Sequence, residues 1–301
     1  MGFRSCIAAV FVSVVLLIGV PCAAMGQLGD AQDNSVALQV FSEGEGSPMV
    51  MLGGGTLGAA AFAPHAKILA TQFRVVRLQT LNVATSQQKA PLPPGYSVKL
   101  ESGAMRRALD TLGISTPIDL VGHSFGALVG LDFALDHPHR VRTLVLFEPP
   151  AFWTVPPEEL RNTPDMRRMY ALVQDFVPER EPTDEQYLRF LCGLGNCNAK
   201  PSAPGDANWD NWVMRRSALR GLSVIPAHKD SLERVRQFDR PVLIMTGAHT
   251  VSFHRRINEI LAHTFPSAER AELAGGHTMS VSAVEEFVTT LQAFLTRHRE
   301  R

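Results

Sequence analysis

The 301 residues carry 29 Lys plus Arg against 29 Asp plus Glu, so the formal net charge is zero, and 45% of the chain is hydrophobic. A balanced charge without a basic stripe argues against a nucleic-acid partner, because phosphate binding needs clustered Lys and Arg. An ordinary apolar fraction without low-complexity tracts or repeats excludes a disordered or fibrous chain.

At the start of the chain, Arg4 precedes an apolar run over residues 7–20, and small side chains follow at Ala24 and Gly26. This is the layout of a secretory signal peptide, too short and wrongly flanked for a membrane span of about 20 apolar residues. The expectation is a leader over 1–26, cut after Ala24 or Gly26. The protein is then exported, periplasmic or secreted, with no stable membrane span after cleavage. A retained anchor and lipidation at Cys22 are the alternatives, although Gly19-Val20-Pro21 lacks the leucine-then-small pattern of a lipoprotein signal.

Beyond the leader, short apolar runs alternate with helical patterns, the rhythm of a mostly parallel sheet covered on both faces. Strands are expected at 36–41, 49–52 and 73–78. The Ala-rich stretch 57–70 reads as a helix that Pro64 starts or kinks. A helix over 98–112 follows, with Leu100, Ala104, Ala108 and Leu112 four apart and Gly113 as its stop. Next come a strand at 118–121, a helix at 125–135 and a strand at 141–147 closed by Pro149-Pro150.

Over 151–236 prolines, paired charges, three tryptophans and helical segments replace strand character, which predicts an inserted helical cap. The α/β core is then 27–150 plus 237–301, with a strand at 241–245, a helix at 252–263, a strand at 268–273 and a final helix at 281–297. Of the cap aromatics Phe152, Trp153, Tyr170, Phe176, Tyr187, Phe190, Trp209 and Trp212, more are expected in the cap's own core than along a pocket. Cys192 and Cys197 remain once Cys6 and Cys22 leave with the leader, and an exported pair so close in sequence favours a local disulfide. Two free thiols are the alternative. A zinc site lacks further ligands at suitable spacing, so no metal is expected.

The chemistry centres on Gly122-His123-Ser124-Phe125-Gly126, in the turn between a buried strand and a helix. A serine there adopts a strained conformation that points its hydroxyl out at the carboxyl edge of the sheet, and the flanking glycines avoid collisions with strand and helix. Gly126, Gly130 and Ala134 leave the helix a smooth face for packing. A serine needs a base within hydrogen-bond reach. His277, in Gly275-Gly276-His277 after the last strand, lies at the same edge; His249 is the one rival, and His123 is expected to support the turn.

Strand, Gly-His-Ser-Phe-Gly elbow, inserted cap and late Gly-His, in this order, resemble the α/β-hydrolase superfamily over nearly all of the mature chain. The resemblance implies a triad acid, usually an Asp in a Gly-x-x-Asp setting, but here that setting reads Gly247-Ala248-His249-Thr250 and residues 240–258 contain no Asp or Glu. A subset of the superfamily carries the acid one strand earlier, where this chain has Glu148 before Pro149-Pro150. Glu148 as the acid, Glu148 as a brace of the Pro-Pro turn, and a dyad lacking a good acid all remain open. By position the oxyanion donors are the amides of Phe125 and Gly55, with Thr56 as the alternative to Gly55.

The implied function is a serine hydrolase that cleaves a carboxylic ester or related small-molecule acyl substrate through an acyl-enzyme on Ser124, without cofactor. Lactonase and carbon-carbon bond hydrolase use the same residues. Dehalogenases and epoxide hydrolases of this fold carry Asp at the nucleophile position and are disfavoured. A slow or non-catalytic ligand-binding protein of the same fold is the alternative class.

Overall fold

The runs read as buried strands pack both faces of one sheet. A computed structural model describes residues 38–278 and 282–299. The expected leader, residues 36 and 37 of the first expected strand, and residue 281 of the last expected helix lie outside the described residues.

The strands are β1 (Val40–Glu43), β2 (Pro48–Leu52), β3 (Arg74–Leu78), β4 (Ile118–His123), β5 (Val141–Phe147), β6 (Val242–Gly247) and β7 (Ala268–Leu273). They form one sheet in the order β1-β3-β2-β4-β5-β6-β7, parallel except for β1, which pairs antiparallel with β3. Helices in chain order are α1 (Ala63–Leu69), α2 (Leu81–Gln87), α3 (Val98–Thr111) and α4 (Phe125–Asp136), then α5 (Pro157–Asn162), α6 (Pro164–Gln174), α7 (Asp184–Gly193), α8 (Trp209–Ala218), α9 (Val224–Ala227) and α10 (Leu232–Gln237), and finally α11 (Ser252–Thr264) and α12 (Val284–His298).

Side chains alternate across a strand, so the apolar runs divide between two cores. Leu120, Leu144, Leu146, Val242 and Ile244 face α3, α4 and α11. Val121, Val145, Phe147, Leu243 and Met245 face α1 and α12. The α/β fold expected from the sequence is the fold observed. Between β5 and β6 the secondary-structure elements, over 152–237, are all helices joined by loops, the longest over 194–208, and no helix among the described residues is long and apolar enough to cross a membrane.

Three elements differ from expectation. The helix expected over 57–70 is a 3-10 turn, Gly58–Phe62, followed by α1 with Pro64 in its first turn, where a missing N–H is harmless. The first strand, expected at 36–41, is observed as β1, whose register is set by pairing with β3. Helix α2 was not expected, because Asn, Val, Thr and Ser are weak helix formers. Its first amides, Leu81 N and Asn82 N, instead donate to the buried carboxylate of Glu101 at 3.0 and 3.3 Å, a cap supplied from α3. Burial raises Glu101 to about 7, against the lowering effect of these amides and of the Tyr96 hydroxyl.

Candidate active site

Ser124 sits between β4 and α4 with φ 54° and ψ −124°, a conformation that costs a non-glycine residue about 1–3 kcal/mol and persists only when its surroundings hold it. The holding contacts are local. Ser124 N donates to Phe147 O at 2.8 Å, a Cβ on Gly122 would come within 2.5 Å of Ala127 Cα, and one on Gly126 within 2.3 Å of Leu52 O. Glycine at both positions is what lets strand, turn and helix approach.

His277 follows β7, and its Nε2 lies 3.0 Å from Ser124 Oγ. Its Nδ1 lies 2.6 Å from Glu148 Oε2. Glu148, the residue after β5, has φ 50° and a fully buried side chain, and its Oε1 accepts from Gly247 N at 2.8 Å. Burial pushes its carboxyl up, but the hydrogen bond and charge attraction of His277 and the Gly247 N–H outweigh this and hold it below the ordinary value. An ionised carboxylate only accepts, so His277 Nδ1 carries the proton and Nε2 is free to accept from the serine hydroxyl.

Two further histidines surround His277. His123 Nε2 lies 2.9 Å from the carbonyl oxygen of His277, and burial lowers its pKa to about 3, so a neutral ring donates from Nε2 and ties the turn of Ser124 to the His277 loop. His254, in the first turn of α11, stacks on His277 with ring centroids 4.2 Å apart and planes 7° from parallel. Burial holds it well below the usual histidine range, hence neutral. His254 is not among the site residues expected from the sequence, which places it in the helix over 252–263; the signal that could have found it is its position at the carboxyl edge, shortly after β6. His249, the rival base, is exposed, and its backbone N donates to Gly275 O at 2.7 Å.

The glycine loop after β2 lies beside the turn, where a Cβ on Gly55 would approach Phe125 Cβ to 3.2 Å. Leu57 N and Gly58 N donate to Gly54 O at 3.1 and 2.8 Å, which orients the planar Gly54-Gly55 peptide and so its N–H. Asn82 Nδ2 donates to Gly55 O at 2.6 Å and to Ala218 O at 3.0 Å, linking this loop to α8. Phe125 opens α4, where a first-turn amide has no intrahelical acceptor. Gly55, Thr56, Ser124, Phe125 and His277 all line a cavity of about 90 Å³, with Phe152 and Phe190 among its apolar walls. Other cap aromatics pack on one another, as Tyr187 does on Trp212 with centroids 4.6 Å apart.

Cys192 and Cys197, at the end of α7 and beyond it, have their sulfurs at bonding distance, 1.99 Å. Ligand atoms of Glu148, His254 and His277, and separately of Asp132, His228 and Asp230, gather closely enough to hold a metal. In both groups the carboxylates already have protein partners: His277 for Glu148, Lys99 for Asp132 and Arg234 for Asp230.

Residues 47–283 match the α/β-hydrolase fold family, and the chain belongs to it as a hydrolase. A protein of Stutzerimonas stutzeri named as a carbamate hydrolase, RutD, is 29% identical over 254 residues, 80% of this chain and 89% of its own length. Cis-3-alkyl-4-alkyloxetan-2-one decarboxylase of Xanthomonas campestris pv. campestris is 26% identical over 284 residues, 87% of this chain and 93% of its own. A thermophilic esterase from Thermogutta terrifontis, 18% identical, shares the fold with a TM-score of 0.66 over 87% of this chain and 94% of that one.

Proposed function

We propose that the protein is an exported serine hydrolase that cleaves a carboxylic ester or related acyl substrate through an acyl-enzyme on Ser124. The observation that carries this reading is the continuous relay from Ser124 Oγ to His277 Nε2 at 3.0 Å and from His277 Nδ1 to Glu148 Oε2 at 2.6 Å.

Ser124 Oγ attacks the acyl carbon as its proton passes to His277 Nε2, and the buried carboxylate of Glu148 stabilises the imidazolium. The oxyanion is received by the amides of Phe125 and Gly55, one such donor being worth about 3 kcal/mol. Collapse expels the alcohol, which takes the proton from His277. Water, deprotonated by the same ring, then attacks the acyl-serine and releases the acid, with Ser124 recovering its proton. His123 holds the backbone of His277, and His254 holds its ring face.

The test is purified mature protein assayed on a panel of p-nitrophenyl esters, lactones and a carbamate; the lactones enter because an oxetan-2-one, named for the Xanthomonas relative, is a cyclic ester. Turnover abolished by Ser124→Ala supports the reading. No turnover together with no covalent fluorophosphonate adduct on Ser124 would leave a ligand-binding protein. Export is supported by the apolar run over 7–20 after Arg4 and by the Cys192–Cys197 pair, since disulfides persist in oxidising compartments. Intact-mass measurement of the exported fraction tests both: a mature chain beginning at Met25 or Gln27 and no alkylatable thiol without reductant is the expected result.

A further inference from the structure

Two cavities of different character meet at one side chain. The inner one, about 90 Å³, holds Ser124 and is walled by Phe152, Val173, Phe190, Leu222, Ile225 and Phe253. The outer one, about 740 Å³, lies between α6, α7 and the start of α11. It carries Asp165, Arg168, Asp175 and Arg189, and Cys192 and Cys197 form part of its wall. Among the described residues, Met169 alone lines both.

Met169 is buried, on α6, and its thioether end rests where α7 has no side chain: a Cβ on Gly193 would come within 2.4 Å of Met169 Cε. The backbone at Gly193 is not in the left-handed region, so its conformation does not call for glycine. What the missing side chain leaves is room for Met169. The inner cavity is smaller than the roughly 150 Å³ apolar cavity that accommodates a benzene ring, so an acyl group of more than a few carbons has to displace the methionine. Methionine is unbranched and readily changes rotamer, which suits it to a movable wall.

We propose that Met169, seated on Gly193, is the partition that limits acyl length, so that the substrates are esters of short apolar acids. This rests on the Ser124 reading above. Among the described residues, no polar side chain lines the inner cavity apart from those around the reacting centre (Thr56, His123, Ser124, His254, His277 and Thr278), so a charged acyl group would be desolvated there without a partner.

The experiment compares p-nitrophenyl butyrate and octanoate as a ratio of kcat/KM, in wild type, Met169→Ala, Met169→Val and Gly193→Ala, each also treated with a small fluorophosphonate. Wild type is expected to prefer butyrate by at least tenfold. Met169→Ala should raise the octanoate-to-butyrate ratio at least tenfold, and Met169→Val, the milder trim that serves if Met169→Ala does not fold, at least threefold. Gly193→Ala, which pushes the thioether off its seat, should lower the ratio further, and Met169→Ala in that background should restore it. An unchanged ratio in Met169 variants whose Ser124 is still labelled overturns the partition alone. Failure of wild type to react with the fluorophosphonate overturns the Ser124 reading, and the partition with it.

Discussion

The carboxylate of Glu148, at the end of β5, accepts a hydrogen bond from the backbone N–H of Gly247, at the end of β6, at 2.8 Å. Gly247 begins the Gly-x-x-x setting in which related hydrolases carry their acid, and Thr250 stands where that acid would be. Glu148 therefore reaches from one strand end into the space beside the neighbouring one, with one oxygen on Gly247 and the other on His277.

Glu148→Ala is expected to lower kcat at least tenfold, because the His277 tautomer and the imidazolium lose their buried partner. Thr250→Ala should have little effect. Adding Thr250→Asp to Glu148→Ala should recover part of the lost rate, since it returns a carboxylate next to the same space. Steady-state kinetics on one ester check all three, and near-wild-type activity of folded Glu148→Ala would sink the acid assignment.

Asn82 bridges Gly55 O and Ala218 O and so couples the glycine loop to the cap. Asn82→Ala should reduce kcat by about tenfold or more while the protein stays folded, because a misaimed oxyanion donor is worth up to about 3 kcal/mol. An unaltered kcat, measured beside an unaltered circular dichroism spectrum, would show that the loop does not need this tie.

Gly126 and Gly130 look alike on α4 but meet different surroundings. A Cβ at Gly126 would strike Leu52 O at 2.3 Å, whereas at Gly130 the nearest atom, Leu120 Cδ2, is 3.7 Å away. Gly126→Ala is expected to destabilise severely, and Gly130→Ala to be neutral or to stabilise by up to about 1 kcal/mol through helix propensity. Urea unfolding midpoints distinguish the two.

His123 is held neutral in the folded protein, its pKa lowered to about 3 by burial, against an ordinary 6.5. The unfolded chain binds this proton first, so the stability it contributes is complete above about pH 6.5 and is lost as pH falls toward 3. His123→Asn should therefore show a shallower loss of stability than wild type between pH 6.5 and 4, read as the pH dependence of the urea midpoint. Parallel curves for the two proteins would contradict this.

The ring stack of His254 on His277 predicts that His254→Ala lowers kcat about three- to tenfold, the scale of a lost aromatic pair, and that His254→Phe, which keeps a ring there, loses less. Equal losses in both variants would assign His254 a role beyond stacking.

Much of this protein is legible in its sequence because the signals are local. Continuous apolar runs mark β4, β5 and β6, flanking glycines mark the strained turn at Ser124, and chain order places His277 after the last strand. Helix α2 was illegible for the opposite reason: the group that caps it, Glu101, lies 20 residues away on α3. The same holds for His254, which a helical pattern places in α11 without revealing which ring it will face.

The sequence by itself determined the α/β architecture and the turn that presents Ser124, since periodicity and turn chemistry act over a few residues; it offered His277 with His249 as a rival, and only the family resemblance put Glu148 forward, as one of three open readings. Only the tertiary structure decided that Ser124, His277 and Glu148 form one relay, across separations of 153 and 129 residues. It also decided that Asn82 ties Gly55 to the cap and that Met169 stands between two cavities. Such contacts depend on how strand ends and cap helices converge in space, which no local pattern encodes.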